Sequence, residues 1–414
     1  MGADAATGTR ATNGKTALAR TLNLPLAILF GLGVTIGAGI YVLIGSAAGR
    51  AGMHAPIAFL IAAVVMAPTA AVFAELVTRM PVSAGEAAYV GAGFNSRRLS
   101  LLVGLMVMAV GVLSAAAISR GSAGYIAALT GARTSHIIPA VVLVMGLITA
   151  WGIKESVTVA ATMTVIEITG LVAIIVVGAW NSPAVFARIP EVWSGTTSLA
   201  VMSGVFSASL LAFFAFIGFE SLANIAEEIK EPERLLPRAI FWTLVLSTLL
   251  YISVVWVALV AVPREDLASS GAPLSLVFER VTGASPTLIT VIAIVATING
   301  IIVQMVMASR VVYGLADKGE LPALFGTVHP LTRTPLNATL LVTVATLVSA
   351  TAFPIEALAE ATSRVTLVIF AFVNASLVLI KRRREPSTGF AVPDWVPMVG
   401  CGLCVALLAI DVAG

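Results

Sequence analysis

Residues 213–221 read Phe-Phe-Ala-Phe-Ile-Gly-Phe-Glu-Ser, so one glycine stands between bulky aromatic residues and an acid. This stretch lies well inside a long apolar run, residues 200–229. Glycine weakens a helix, and in lipid each backbone group that loses its helical partner is costly unless it finds another. The stretch therefore predicts an interrupted membrane helix whose free backbone groups line a cavity.

The first apolar run, residues 24–48, carries a related pattern. It contains five glycines, and Thr35, Ile36, Gly37, Ala38 and Gly39 follow one another at its centre. Two interpretations are open for this run alone. The glycines either break the helix or allow close helix packing, as small residues do in membranes. The similar pattern at residues 213–221 favours an interrupted helix in both runs.

The composition excludes a soluble globular protein. Of 414 residues, 59% are hydrophobic and 11% are charged, against roughly 45–50% and 25% in soluble domains. The basic residues are scattered in short loops, which indicates membrane topology rather than nucleic acid binding. Cys401 and Cys404 are too few for a disulfide framework or a metal site.

Eleven runs are long and apolar enough to cross a bilayer, and they predict an all-α polytopic membrane protein. We number them spans 1 to 11, at about 24–48, 56–78, 100–129, 137–153, 157–180, 200–229, 238–262, 286–314, 336–353, 356–380 and 395–413. With the N-terminus inside, 17 of the 24 lysines and arginines fall on the inner side. This bias predicts a cytoplasmic N-terminus and a location in the cell membrane.

Spans 1 and 6 take matching positions if the chain consists of two halves of five spans with span 11 added. An odd number of spans per half forces the halves into opposite orientations, and interrupted helices at matching places mark a transporter's substrate site. The predicted organisation is a cytoplasmic tail (1–22), a first repeat (23–180), a second repeat (200–380), and a basic loop with span 11 (381–414).

The broken ends of two such helices present free N–H groups on one side and free carbonyls on the other. An α-amino acid, which carries a carboxylate beside an ammonium group, matches both. The predicted substrate-binding residues lie at the two breaks and are Thr35, Ile36, Gly37, Ala38, Gly39, Phe214, Ala215, Phe216, Ile217, Gly218 and Phe219.

Four stretches of the chain resemble motifs of the amino acid-polyamine-organocation transporters, in a form similar to the cationic amino acid transporter branch. They are residues 33–45, residues 213–240, Ala74-Glu75-Leu76 with Arg79, and Asp317 to Pro322. The resemblance implies the five-plus-five inverted repeat that this family shares with sodium-coupled transporters. It also implies amino acids or related amines as substrates, with Phe214 and Phe219 as lids over them.

Two acids lie inside predicted spans, and both are candidates for proton coupling or gating. Glu167 is in the middle of span 5, where the resemblance implies a lysine in many relatives, and Glu220 follows the span 6 break. A carboxyl removed from water favours its protonated form. A role for Glu167 as counter-charge to a cationic substrate stays open, whereas sodium is disfavoured because few oxygen ligands lie close in sequence.

The other charged residues are expected either to form gates or to fix the membrane topology. Glu75 and Arg79 are one helical turn apart and are expected to form an inner gate with Arg310 and Asp317. Arg120 is expected to snorkel outward or to pair with Glu356 or Glu360. The run from Lys381 to Arg384 is expected to be solvated.

A secondary transporter is the predicted function, coupled to protons or working by exchange. An enzyme is excluded, because the three histidines fall in predicted loops and no zinc, serine-hydrolase or phosphate-loop motif occurs. No cofactor or metal is expected. A cationic amino acid or polyamine antiporter and a transporter-like amino acid sensor remain as alternatives.

Overall fold

A computed structural model describes residues 22–80, 85–152, 157–182, 184–195, 198–383 and 389–413. Within these ranges the regular structure is helical, and one isolated backbone bridge joins Leu22 to Ile229. The predicted tail before residue 22 lies outside the described residues. The expected all-α architecture is confirmed.

The eleven predicted spans correspond to eleven helical segments. In chain order, spans 1 to 11 are Leu24–Ala51, Ala55–Arg79, Arg97–Thr130, Thr134–Trp151, Val157–Asn181, Leu199–Phe216 with Phe219–Glu228, Pro232–Ala261, Thr287–Asp317, Leu336–Ala352, Ile355–Arg382 and Trp395–Ala413.

Length and composition separate these segments into two groups. Nine stretches of the described chain are long and apolar enough to cross a membrane, and one of them, Gly39–Arg79, holds the second part of span 1 and all of span 2. The start of span 1, Leu24–Gly37, and span 9, Leu336–Ala352, are shorter apolar helices. The prediction of a polytopic membrane protein is therefore confirmed.

Short helices connect the spans on both sides. The connecting helices are Gly52–His54, Gly85–Phe94, Ala184–Ala187, Ile189–Trp193, Arg264–Ser269, Pro273–Thr282 and Ala323–Gly326. Local chemistry sets several of the boundaries. The Asn23 and Ser96 side chains accept hydrogen bonds from free backbone amides in the first turns of spans 1 and 3. Span 3 ends at Gly131, which has the left-handed conformation.

The packing of the spans repeats after five. Spans 1, 2, 3 and 4 pack against spans 6, 7, 8 and 9, respectively. Further contacts come in matching pairs: span 1 with 7 and 2 with 6, span 3 with 4 and 8 with 9, and span 1 with 5 and 6 with 10. This is the contact pattern of two five-span units related by a two-fold axis, which is the arrangement the five-plus-five repeat predicts.

Span 6 is interrupted where the sequence indicates. Its first helix ends at Phe216, Ile217 is extended, and a 3-10 helix resumes at Phe219. Gly218 between them has a φ of 134°, a value that favours glycine. A side chain there would also meet the Val34 carbonyl oxygen, since an added Cβ would lie 2.8 Å from it.

Span 1 differs from the prediction, because it is one helix from Leu24 to Ala51. The expected interruption at residues 35–39 is therefore not observed. Its glycines serve close packing, which is the other interpretation of that pattern. A Cβ at Gly39 would collide with the Ala215 backbone, and one at Gly33 would collide with the Thr164 side chain.

Candidate functional site

Tyr251 of span 7 joins spans 1 and 6 at the interruption. Its hydroxyl lies 2.8 Å from both the Thr35 carbonyl oxygen and the Ala215 carbonyl oxygen. A hydroxyl has one proton, so it donates to one of these carbonyls at a time. The Tyr251 hydroxyl thus competes for the backbone carbonyls at the interruption, the kind of group that the sequence predicts to be free.

A small cavity lies beside this junction, between spans 1, 3, 6 and 8. Its volume is about 20 Å³, enough for one or two water molecules. It is lined by Gly33, Val34, Thr35, Gly39, Ser114, Ile118, Phe214, Ile217, Asn299, Gly300, Val303 and Gln304. We call it the central cavity.

Four of the predicted substrate-binding residues line the central cavity: Thr35, Gly39, Phe214 and Ile217. The backbone amides of residues 37–39 lie within the continuous span 1 helix, so the proposal that they are free to hold a carboxylate is wrong for this conformation. Among the described side chains, the cavity lining does not include the predicted residues Ile36, Gly37, Ala215, Phe216, Gly218 and Phe219. The side chain of Ala38 lies outside the described part of the structure.

Hydroxyl groups provide the free hydrogen-bonding capacity of the central cavity. Thr35 and Ser114 are 3% and 1% exposed, and the structure pairs neither hydroxyl with another described atom. Asn299 and Gln304 add amides from span 8. Sequence reasoning missed Ser114, Asn299 and Gln304, although an asparagine and a glutamine inside one apolar span were a usable signal.

The aromatic residues of the break separate into two environments. Phe214 lines the central cavity, as its predicted role as a lid requires. Phe219 instead packs edge-on against Phe73, with ring centres 5.7 Å apart, and also contacts Phe370. Phe219 therefore belongs to an aromatic cluster on the far side of the break.

Glu167 lies where spans 1, 5 and 8 meet. Its side chain is fully buried, and neither carboxylate oxygen makes a hydrogen bond of good geometry within the described residues. The Asn299 side chain lies close to this carboxylate. The Glu167 carbonyl accepts a 2.7 Å hydrogen bond from the Tyr41 hydroxyl, which fixes span 5 against span 1.

Glu220 caps the restarted helix of span 6. Its Oε2 atom accepts a 2.9 Å hydrogen bond from the Gly218 amide, one of the groups freed by the interruption. The carboxylate is thus tied directly to the backbone that breaks.

The charged cluster predicted as an inner gate has partners that differ from the prediction. Glu75 is fully buried and pairs with Arg79 at 2.7 Å, as predicted, but its second partner is Lys381 at 3.2 Å. The Val392 amide donates a 2.7 Å hydrogen bond to Glu75 as well. Arg310 and Asp317 are exposed and are absent from this cluster, so their inclusion was wrong.

Lys381 also corrects the expectation of a solvated basic run. Its side chain is 12% exposed and joins the end of span 10 to Glu75 of span 2. A fully buried carboxylate needs a counter-charge, which a lysine of a distant span supplies. Arg384 lies outside the described residues.

A second charged network joins spans 1, 10 and 11 on the predicted outer side. Arg50 pairs with Glu360, which also contacts Arg364 at 3.1 Å, and Arg364 reaches Asp411 at 2.6 Å. Arg120 does not pair with Glu356 or Glu360, but donates a 2.7 Å hydrogen bond to the Ala350 carbonyl. That alternative was wrong because Arg50 and Ser46 of span 1 occupy both acids.

Comparison with known proteins identifies this arrangement of spans. The profile of a family described as amino acid permease matches residues 22–413. The chain belongs to the amino acid permease family. The resemblance to amino acid-polyamine-organocation transporters is thereby confirmed, and the permease is a transporter rather than an enzyme.

Relatives of the permease carry names with different substrates. It is 29% identical to the branched-chain amino acid permease BcaP of Bacillus subtilis over 90% of this chain and 83% of the relative. It is 30% identical to a methylthioribose transporter of the same organism, over 94% and 87%. It is also 30% identical to vacuolar cationic amino acid transporter 4 of Arabidopsis thaliana, over 92% and 65%.

Proposed function

We propose that this permease is a secondary transporter that moves neutral amino acids across the cell membrane by alternating access. The observation that carries the proposal is the central cavity at the span 6 interruption, with the unpartnered hydroxyls of Thr35 and Ser114 in its wall. Buried polar groups that lack a partner are costly. A bound substrate that hydrogen-bonds to them would offset this cost.

The small size of the central cavity supports alternating access. Its volume of about 20 Å³ is too small for an amino acid. The charged networks around Glu75 and around Glu360 tie the helix ends together on both sides of it. Substrate entry therefore requires the spans to separate on one side, as a transporter that alternates between two open forms must do.

The lining favours neutral substrates with apolar side chains. Among the described residues that line the central cavity none is charged, and the apolar wall includes Ile118, Phe214, Ile217 and Val303. The relative named as a branched-chain amino acid permease agrees with such a pocket. A cationic substrate would require a buried carboxylate at this wall to neutralise its side chain.

Two finer parts belong to the same proposal. The N-terminus is cytoplasmic, with repeats at 23–180 and 200–380, a tail at 1–22 and an addition at 381–414. Protons supply the driving force, with Glu167 and Glu220 as the acids that exchange them. The fully buried carboxylate of Glu167, which makes no hydrogen bond of good geometry among the described residues, supports this part.

Uptake into sodium-free proteoliposomes tests the proposal. Labelled leucine, isoleucine, valine, arginine and lysine are supplied with and without an inward proton gradient. We expect the branched-chain amino acids to accumulate above equilibrium only with the gradient. Gradient-independent uptake would replace symport by exchange or facilitated diffusion, and selective uptake of arginine or lysine would contradict the substrate class.

A double variant tests the hydroxyls of the central cavity, and a binding measurement separates transport from sensing. Ser114→Ala together with Thr35→Val removes both free hydroxyls while keeping nearly the same volumes. We expect this variant to lose uptake at least about tenfold, equivalent to about 1.4 kcal/mol. Binding of leucine without measurable flux in the unmodified protein would instead indicate an amino acid sensor.

A further inference from the structure

A second cavity lies on the predicted inner side of the span 6 interruption. Its volume is about 30 Å³. Its polar lining residues are Glu86, Glu220, Gln304 and Thr366, and the rest of its lining is mostly apolar. Gln304 also lines the central cavity, so this residue borders both spaces.

Two carboxylic acids share this cavity. Glu86 comes from the connecting helix Gly85–Phe94, outside the spans, and Glu220 comes from span 6. Glu86 is partly buried, and no described residue other than Glu86 itself donates a hydrogen bond to its carboxylate. Burial raises the pKa of the Glu86 carboxyl.

No basic side chain of the neighbouring described elements neutralises the pair. Arg97 of span 3 pairs with Glu320, and Lys381 of span 10 pairs with Glu75. Arg383 donates to the carbonyls of Ala92 and Gly93, and Arg310 of span 8 is exposed. Tyr89 of the same connecting helix is a titratable neighbour, and burial, followed by the proximity of Glu86, raises its pKa.

Two ionised carboxylates cannot share a small apolar space without a cation, so one of them keeps a proton. The other lining residues are mostly apolar, and the Thr366 hydroxyl is already bonded to the Thr362 carbonyl. Few oxygens remain to coordinate a metal ion. The volume also excludes an amino acid, which leaves a proton as the ligand that fits.

We propose that Glu86 and Glu220 form a proton-binding pair that shares one proton beside the span 6 interruption. Glu220 is the ionised partner, because it accepts the Gly218 amide, and Glu86 holds the proton. Movement of the interruption breaks or restores the contact between Gly218 and Glu220. It thereby changes the proton affinity of the pair, which couples the central cavity to the proton.

This role in coupling rests on the proposed transport function, whereas the shared proton does not. Infrared spectra of the purified full-length protein in detergent test the proton directly. The C=O stretch of a protonated carboxyl is absent from ionised carboxylates and is distinct from amide bands. Spectra are recorded along a pH titration for Glu86→Gln, Glu220→Gln and the double variant. Glu279→Gln, which changes an exposed acid of a connecting helix, serves as the control.

We expect the unmodified protein to show one more protonated carboxyl at neutral pH than the double variant. Each single variant should release that proton at lower pH, by at least about tenfold in proton concentration, because the remaining acid has no like-charged neighbour. Glu86→Asp should keep the shared proton, which separates a lost carboxyl from lost packing. Glu279→Gln should match the unmodified protein.

Three results would overturn the proposal. The first is equal protonated carboxyl signal in the unmodified protein and the double variant at neutral pH. The second is a single variant in which the remaining acid titrates unchanged. The third is a midpoint that moves when sodium replaces a large organic cation, since that would indicate a metal site.

The infrared and uptake measurements test the proton pair and the transport function separately, so either proposal can be refuted alone. Transport without the shared carboxyl signal would refute the proton pair and leave the transport proposal standing. The shared signal without flux of any amino acid would do the reverse. If both hold, Glu86→Gln should reduce gradient-driven accumulation at least about tenfold while amino acid exchange continues.

Discussion

Gly39 sets the distance between spans 1 and 6. A Cβ at this position would collide with the Ala215 backbone of span 6, next to Phe214 in the wall of the central cavity. Gly314 of span 8 is a matched glycine, since nothing lies within 4 Å of the position of its Cβ. The two residues separate the effect of packing from that of helix propensity.

We expect Gly39→Ala to lower stability by about 1–3 kcal/mol through overpacking and to abolish substrate binding. Gly314→Ala should leave binding unchanged and stabilise its helix by up to about 1 kcal/mol. Thermal unfolding in detergent and equilibrium binding of labelled leucine measure both effects. Equal behaviour of the two variants would refute the close-packing role of Gly39.

Glu167→Gln tests the acid of span 5. The substitution keeps the shape of the side chain and removes its ability to exchange a proton. Because the carboxylate has no partner among the described residues, the amide should fit without loss of folding. We expect gradient-driven accumulation to disappear while exchange continues. Uptake with an unchanged pH profile would make Glu167 a structural acid.

Glu86 predicts a pH dependence of stability. Burial raises the pKa of its carboxyl above the ordinary value of 4.5, so the folded protein binds this proton more tightly than the unfolded chain. The stability it contributes is full below the ordinary value and is lost as pH rises through the raised value.

Thermal melting curves between about pH 4 and pH 8 measure this loss. We expect the melting midpoint of Glu86→Gln to fall less with rising pH than that of the unmodified protein. Parallel curves for the two proteins would mean that the proton on Glu86 does not contribute to folding.

At the scale of elements, adjacent basic residues at the inner end of span 10 have different environments. Lys381 reaches the buried Glu75 of span 2, whereas the next residue, Arg382, is exposed. The pair links the end of span 2, the end of span 10 and the segment before span 11, since Val392 also contacts Glu75. Its loss should loosen three elements together.

We expect Lys381→Met to destabilise the protein by about 3 kcal/mol, at the low end for a broken buried pair because Arg79 still contacts Glu75. Arg382→Met changes the same chemistry at an exposed site and should stay within about 0.5 kcal/mol. Thermal unfolding in detergent compares the two variants. Similar midpoints would show that the Glu75 cluster adds little to stability.

At the scale of the whole molecule, the outer network around Glu360 holds spans 1, 10 and 11 together. Arg50 is the contribution of span 1, and it also donates a 2.9 Å hydrogen bond to the Ser207 hydroxyl of span 6. The network therefore spans the two repeats above the central cavity. Opening toward that side requires these contacts to separate.

We expect Arg50→Ala to widen the distance between spin labels placed at positions 53 and 353, which lie at the outer ends of spans 1 and 9. Arg280→Ala, which breaks the exposed pair with Asp266, is the control and should leave the distance distribution unchanged. An unaltered distribution in Arg50→Ala would exclude the network as an outer gate.

The sequence predicts the spans more accurately than the contacts between them. All eleven spans, the interruption at Gly218 and the pairing of Glu75 with Arg79 follow from residues close in the chain. The partners Lys381 and Arg50, and the cavity residues Ser114 and Gln304, come from spans far apart in sequence. The charge and polarity of these residues mark them as candidates in the sequence. They do not predict which neighbour each residue contacts.

The sequence by itself determines the membrane architecture, because hydropathy and span length depend only on consecutive residues. The tertiary structure decides whether the glycines of span 1 break a helix or pack one. That choice depends on the Ala215 backbone and the Thr164 side chain, which approach from other spans. It also brings Glu86 and Glu220, which are far apart in sequence, to one cavity, and this is the geometry on which the proposed proton-binding pair depends.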